Sequence, residues 1–155
     1  MPFPSSGRAA RNLSAAAMSA LLLASAGKHF RSPGFYRQVV PDWLCRQDAA
    51  VGDVAAPDNR AYAVFSREEW IAVSGLLEAA AAVGILVPAT RRTTATALSV
   101  LFTAFLAGHI DALRHAFGPE GTLRQRRIHT ARLPLQAPLI AWAWSLRAAG
   151  PGSRQ

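Results

Sequence analysis

Glu78 is the only formal charge in an apolar run over 71–87. A carboxylate there loses its hydration, so it must be protonated, paired with a cation, or turned into a wet cavity. Two histidines each close another apolar run, His29 in Gly-Lys-His-Phe and His109 in Ala-Gly-His-Ile. Gln136 enters a fourth run, and Arg132 stands just outside it. An imidazole can bond an oxygen of a bound ligand, and a buried carboxylic acid can take or give a proton. His29, Glu78, His109, Arg132 and Gln136 are therefore expected to form a polar funnel opening from one end of a helical bundle. The plainer alternative makes the histidines helix caps and Glu78 a protonated strut bonded to another helix, with Ser19, Ser99 and Thr103 at comparable depth. Gly27 and Gly108 each precede a histidine and would let backbones approach so that the two rings meet.

Other chemistries lack their residues. His29 and His109 are single ligands far apart in sequence, with no His-x3-His or Glu-x-x-His pair, so no metal site is expected. A lone cysteine, Cys45, excludes an intrachain disulfide and any Cys-x-x-Cys motif, and it reads as an incidental thiol. No Ser–His–Asp set, phosphate loop or dinucleotide fingerprint can be assembled. His115 and His129 fall in polar sequence and read as solvated loop residues. The basic run Arg124, Gln125, Arg126, Arg127 has no interleaved aromatic residues, which favours a lipid-headgroup anchor over nucleic acid. Trp142 and Trp144 are expected at the membrane–water boundary, where indoles collect.

The elements that must position these groups follow from the charge pattern. The chain has 155 residues, enough for one domain; it is 51% hydrophobic and only 17% charged, which excludes a disordered chain. Its net charge of +8 comes from 17 basic and 9 acidic residues. These charges lie almost wholly outside the stretches 12–27, 71–87, 93–110 and 133–146, which contain only Glu78. A membrane-crossing helix needs about 17–25 apolar residues. A soluble bundle would need a polar face on each helix, and the few polar residues of 93–110 fall all round it. The expectation is an all-α membrane protein: a four-transmembrane-helix up-down bundle with helices at about 9–27, 67–87, 93–111 and 132–149. Residues 1–8 and 150–155 are expected to be disordered tails, with both termini on the same side of the cell inner membrane. A cleavable signal peptide is the alternative for the first helix, since Arg8 and Arg11 precede an apolar run and Ala24-Ser25-Ala26. Retention is favoured because the later helices need a packing partner.

Local signals refine this frame. Ser66, followed three residues later by Glu69, is a capping box that opens the second helix. The short 88–92 connector makes the second and third helices antiparallel. Phe35, Tyr36, Val39 and Val40 form a short amphipathic piece, ending before Pro41, that should lie on the bilayer with Trp43. Gly118, Pro119 and Gly121 break the chain before the basic run. The fourth helix should open near Arg132, Leu133 and Pro134 and be kinked at Pro138.

Gly27-Lys28-His29-Phe30, Pro33-Gly34-Phe35-Tyr36, Val40-Pro41 and Trp43-Leu44 resemble the first-helix signature of the DoxX-like family of small bacterial membrane proteins. Ser74-Gly75 with Glu78, Gly84-Ile85-Leu86, Pro88-Ala89-Thr90-Arg91-Arg92, Gly108-His109, Arg132-Leu133-Pro134-Leu135-Gln136 and Trp142-Ala143-Trp144 continue the resemblance in order. The polar stretch 46–61 is longer than the family pattern, and Cys45 is not part of it. The resemblance implies a four-helix membrane protein in which helix one is retained. It further implies a non-catalytic membrane subunit or assembly partner of a redox system linked to quinol, sulfur or oxidative-stress chemistry. The lipid bilayer and a redox-enzyme protein are the partners it suggests, with no nucleic acid. The funnel itself allows two other readings. One is a quinone-binding subunit in which His29 or His109 bonds a quinone oxygen while Glu78 handles a proton; the other is a small transporter.

Overall fold

The computed structural model describes residues 6–46 and 63–148. Residues 1–5 of the tail expected at 1–8, the tail expected at 150–155 and most of the polar stretch 46–61 lie outside the described residues. Four α-helices carry the fold: α1 (Ser6–Arg31), α2 (Arg67–Leu86), α3 (Arg91–Phe117) and α4 (Leu123–Ser145). Three 3-10 turns, Pro33–Phe35, Arg37–Val39 and Asp42–Leu44, join α1 to the α2 side. The described residues contain no strand, only an isolated parallel bridge between Cys45 and Phe65.

The helix ends follow their capping chemistry. Ser66 Oγ accepts from the Glu69 amide at 3.2 Å while Glu69 Oε2 accepts from the Ser66 amide at 2.7 Å, so α2 opens where expected. The same device corrects the fourth helix, expected from 132 to 149. Thr122 Oγ1 accepts from the Gln125 amide at 3.2 Å and Gln125 Oε1 from the Thr122 amide at 2.9 Å, so the helix opens at Leu123 and ends at Ser145. Pro134 and Pro138 both lie inside it, and each removes one backbone donor. The first helix is also longer than 9–27, taking in residues 6–8 of the expected tail and Lys28, His29 and Arg31 at its end. α3 exceeds 93–111 at both ends. The second helix stops at Leu86, one residue short of 87, because Val87 is extended.

The helices run antiparallel in chain order. Ser19 of α1 donates to the Ala82 carbonyl of α2 at 2.8 Å, and Gly75 of α2 packs on His29 near the other end of α1. Across the second pair, Gln136 of α4 meets His109 of α3 and Arg126 donates to the Ala116 carbonyl. α1 with α2 and α3 with α4 form two closely packed hairpins, and α2 meets α3 less extensively. The hairpins are fastened at one end. There Arg91 bonds Asn12 Oδ1 at 3.0 Å, Trp142 bonds Ser14 Oγ at 2.8 Å and Arg11 bonds the Ala148 carbonyl at 3.1 Å. Met18, Leu22, Ile85, Leu98, Phe102, Ala143 and Leu146 fill the core at this end.

α2 and α3 are each long and apolar enough to cross a membrane, and only 28% of each apolar window is buried in the bundle. Their large apolar side chains point outward, with Leu76, Leu77, Val83 and Val100 at least half exposed. A soluble helix turns such residues into its core.

The 33–44 segment contains the amphipathic piece expected to lie on the bilayer. It folds across the end of the bundle and packs against α1, α2 and α3. A Cβ at Gly108 would stand 2.0 Å from the Val39 carbonyl oxygen, so only glycine permits this approach, whereas a Cβ at Gly27 meets nothing within 4 Å. The glycines thus do not bring the two histidine rings together as expected: Gly108 receives the crossing segment, and Gly27 receives nothing. Thermal unfolding in detergent should separate them. Gly108→Ala should cost about 1–3 kcal/mol through backbone displacement, while Gly27→Ala should be neutral or stabilising by up to about 1 kcal/mol.

Candidate functional site

At the end opposite the fastened core the two hairpins separate around a cavity of about 720 Å³. All five polar residues singled out in the sequence line it: His29 from α1, Glu78 from α2, His109 from α3, and Arg132 and Gln136 from α4. The rest of the wall is mainly apolar, with Leu21, Ile71, Phe102, Phe105, Leu135 and Leu139 among its residues. Ser25, Tyr36 and the crossing segment close one side.

The two histidines make the same local bond. His29 Nδ1 faces the Ser25 carbonyl at 2.9 Å and His109 Nδ1 faces the Phe105 carbonyl at 2.8 Å, each four residues back. A carbonyl only accepts, so each neutral ring is protonated on Nδ1 and carries its lone pair on Nε2. His109 uses that lone pair to accept from Gln136 Nε2 at 3.3 Å. Gln136 is 8% exposed, and its Oε1 is left without a partner.

Glu78 is 4% exposed. Its Oε2 lies 3.7 Å from His29 Nδ1, beyond hydrogen-bond distance from a group already committed to Ser25, and has no hydrogen-bond partner. The expected partners are thereby corrected: Ser19 bonds the Ala82 carbonyl, while Ser99 and Thr103 return to carbonyls of their own helix. Ser99 and Thr103 reach main-chain acceptors one turn back on α3 and Ser19 reaches one on α2, so all three hydroxyl donors are taken.

Tyr36, expected only as part of the amphipathic piece, also lines the cavity. Its ring stacks on His29 with centroids 3.6 Å apart and planes 16° from parallel. Its hydroxyl lies 3.4 Å from both Ser25 Oγ and the Ser25 carbonyl. Burial pushes the phenol above its ordinary pKa, so the hydroxyl stays protonated and can donate to that carbonyl.

His129 corrects another expectation. It was read as a solvated loop residue, yet it lies in α4 and is 2% exposed, with Nε2 3.1 Å from Gln38 Oε1 of the crossing segment. The usable signal was the Thr122-x-x-Gln125 box, which puts His129 on a helix. His115 is exposed, as expected, although it lies on α3. Cys45 is buried against the Pro41 carbonyl, at 3.4 Å from sulfur to oxygen. Among the described residues no cluster of three or more His, Cys, Asp or Glu could hold a metal ion.

Residues 18–147 match a protein family described as Domain of unknown function (DUF8561), and the chain belongs to that family. No curated protein and no solved structure matches the chain.

The unpartnered Glu78 oxygen yields a stability prediction. Because removing a buried polar group that lacks full pairing carries little penalty, Glu78→Leu should change detergent-state stability by no more than about 1 kcal/mol. Gln136→Leu, which strips the donor from His109 Nε2, should cost more. Paired thermal melts followed by circular dichroism test that order.

Proposed function

We infer that this chain is a multi-pass membrane protein, allied to the DoxX-like proteins, that binds a quinone inside its bundle as the membrane subunit or assembly partner of a redox system. One observation carries the reading: five polar side chains from four helices line one largely apolar cavity. Polar side chains converging on an apolar cavity mark a ligand's place. The volume suits a ring with part of an isoprenoid tail. Leu21, Leu77 and Leu135 both line the cavity and are exposed outward, which offers such a tail a route to the bilayer.

The polar inventory suits both redox forms. The neutral His29 ring offers a lone pair at Nε2 to a hydroquinone hydroxyl, and the Arg132 guanidinium on the same wall can donate to a quinone carbonyl. Glu78 serves either form, since its carboxyl group accepts when ionised and donates when protonated.

The reading includes four spans in the cell inner membrane, with both chain ends on one side. α2 and α3 have the length and composition for it. The apolar centres of α1 and α4, 13–27 and 133–146, are each only about 20 Å long at the α-helical rise. Arg11, Lys28 and Arg132 flank those centres, where long cationic side chains can reach the headgroups.

Purification of the full chain in mild detergent under anaerobic conditions, followed by solvent extraction, tests the ligand. Bound quinone is expected, with at least about a tenfold loss in Glu78→Leu and Gln136→Leu, as for losing one charge-assisted hydrogen bond. Quinone-free parent protein overturns the quinone assignment; a stoichiometric partner protein in that quinone-free sample would leave the assembly role alone. For topology, Thr90→Cys and Glu120→Cys in a Cys45→Ser background should be labelled from opposite faces of sealed vesicles. Labelling from one face overturns the four-span arrangement.

A further inference from the structure

We propose that Lys28, Phe35 and Arg132 form a clamp at the cavity rim for the phosphate of an anionic phospholipid. Lys28 Nζ stands 3.7 Å and the Arg132 guanidinium carbon 4.0 Å from the centroid of the same Phe35 ring. The two cations therefore lie no farther apart than those distances combined. Two like charges so close repel each other, and the face of a phenyl ring offsets only part of that cost.

No carboxylate relieves them. The nearby acidic side chains are engaged elsewhere: Asp42 with Arg67, Glu68 with Arg37, and Glu69 with Ser66 and Arg46. Among the described residues no acidic group comes within ion-pair distance of Lys28 or Arg132. An anion held between them would offset this repulsion. The edge of an aromatic ring carries partial positive charge, so a phosphate at the exposed edge of Phe35 meets three favourable surfaces.

A lipid is favoured over a free anion by what adjoins the cations. Arg132 and Phe35 also line the apolar cavity, and the exposed Phe30 and Trp43 belong to the same end of the molecule. A headgroup on the clamp would leave its acyl chains against those surfaces, where a free phosphate would leave them bare. The inference rests on the membrane part of the reading above and is independent of the quinone.

The test uses the full chain in mixed micelles of phosphatidylglycerol and phosphatidylcholine, with retained lipid counted by native mass spectrometry. Phosphatidylglycerol should be retained over phosphatidylcholine, and Lys28→Gln and Arg132→Gln should each reduce that preference by about fivefold. Arg132→Lys should keep most of it, and Arg124→Gln, in the exposed first turn of α4, should not change it. Equal retention in the parent, or an undiminished preference in both glutamine variants, overturns the clamp. Displacement of the lipid by millimolar inorganic phosphate makes a free anion the ligand and overturns the lipid assignment. Alkaline carbonate extraction of native membranes separates the two levels. Release of the chain refutes the membrane reading itself, whereas an embedded chain without lipid preference refutes only the clamp.

Discussion

The carbonyl oxygen of Ser25 faces His29 Nδ1 at 2.9 Å and the Tyr36 hydroxyl at 3.4 Å. One residue in α1 therefore ties the segment crossing the bundle end to the ring that borders Glu78 of α2. In an apolar interior each polar group needs a nearby partner. The local bond to Ser25 fixes the His29 tautomer, and Tyr36 lies flat on the resulting ring. His109 repeats the arrangement on α3 with Phe105, and its free lone pair then sets the direction of the Gln136 amide. These main-chain bonds set which ring nitrogen of each histidine is left as an acceptor.

The crossing segment is held by more than Tyr36. Its turns are too short for a helix, and partners outside it satisfy several of their polar groups. Trp70 Nε1 donates to the Leu44 carbonyl at 2.9 Å, Arg67 donates to the Arg37 carbonyl at 3.1 Å, and Gln38 meets His129. Ion pairs of Arg37 with Glu68 and of Arg67 with Asp42 fasten the same edge to the start of α2. These pairs are exposed and individually weak, so the segment relies more on the close seat at Gly108 and on the stacked ring.

Much of this was legible in the sequence, and what was missed has a physical cause. The apolar runs located the four helices, and the Ser66–Glu69 box located the start of α2, because both signals are local. The five polar residues converge on one cavity because each sits near the same end of its helix, or at matching depth, and antiparallel order brings those ends together. Pro134 misled as a helix opener: proline is common in a first turn, but the competing Thr122–Gln125 box lies upstream within basic sequence. That error hid His129. The partners of Glu78 depended on helix rotation, which helical depth alone does not specify, and Tyr36 depended on a non-helical segment folding back.

Because α1 with α2 and α3 with α4 are closely packed hairpins joined mainly at one end, stiffness is distributed unevenly along the molecule. The fastened end acts as a pivot, with Arg11, Asn12, Ser14, Arg91 and Trp142 as its pins. The hollow end has the longer lever arm and fewer bonds from one hairpin to the other. A small rotation at the pivot becomes a wider parting at the cavity, while the bonds within each hairpin remain intact. Volume at the site can thus change at little elastic cost, and the crossing segment, anchored chiefly on α2 and seated on α3, is the tie that limits its travel.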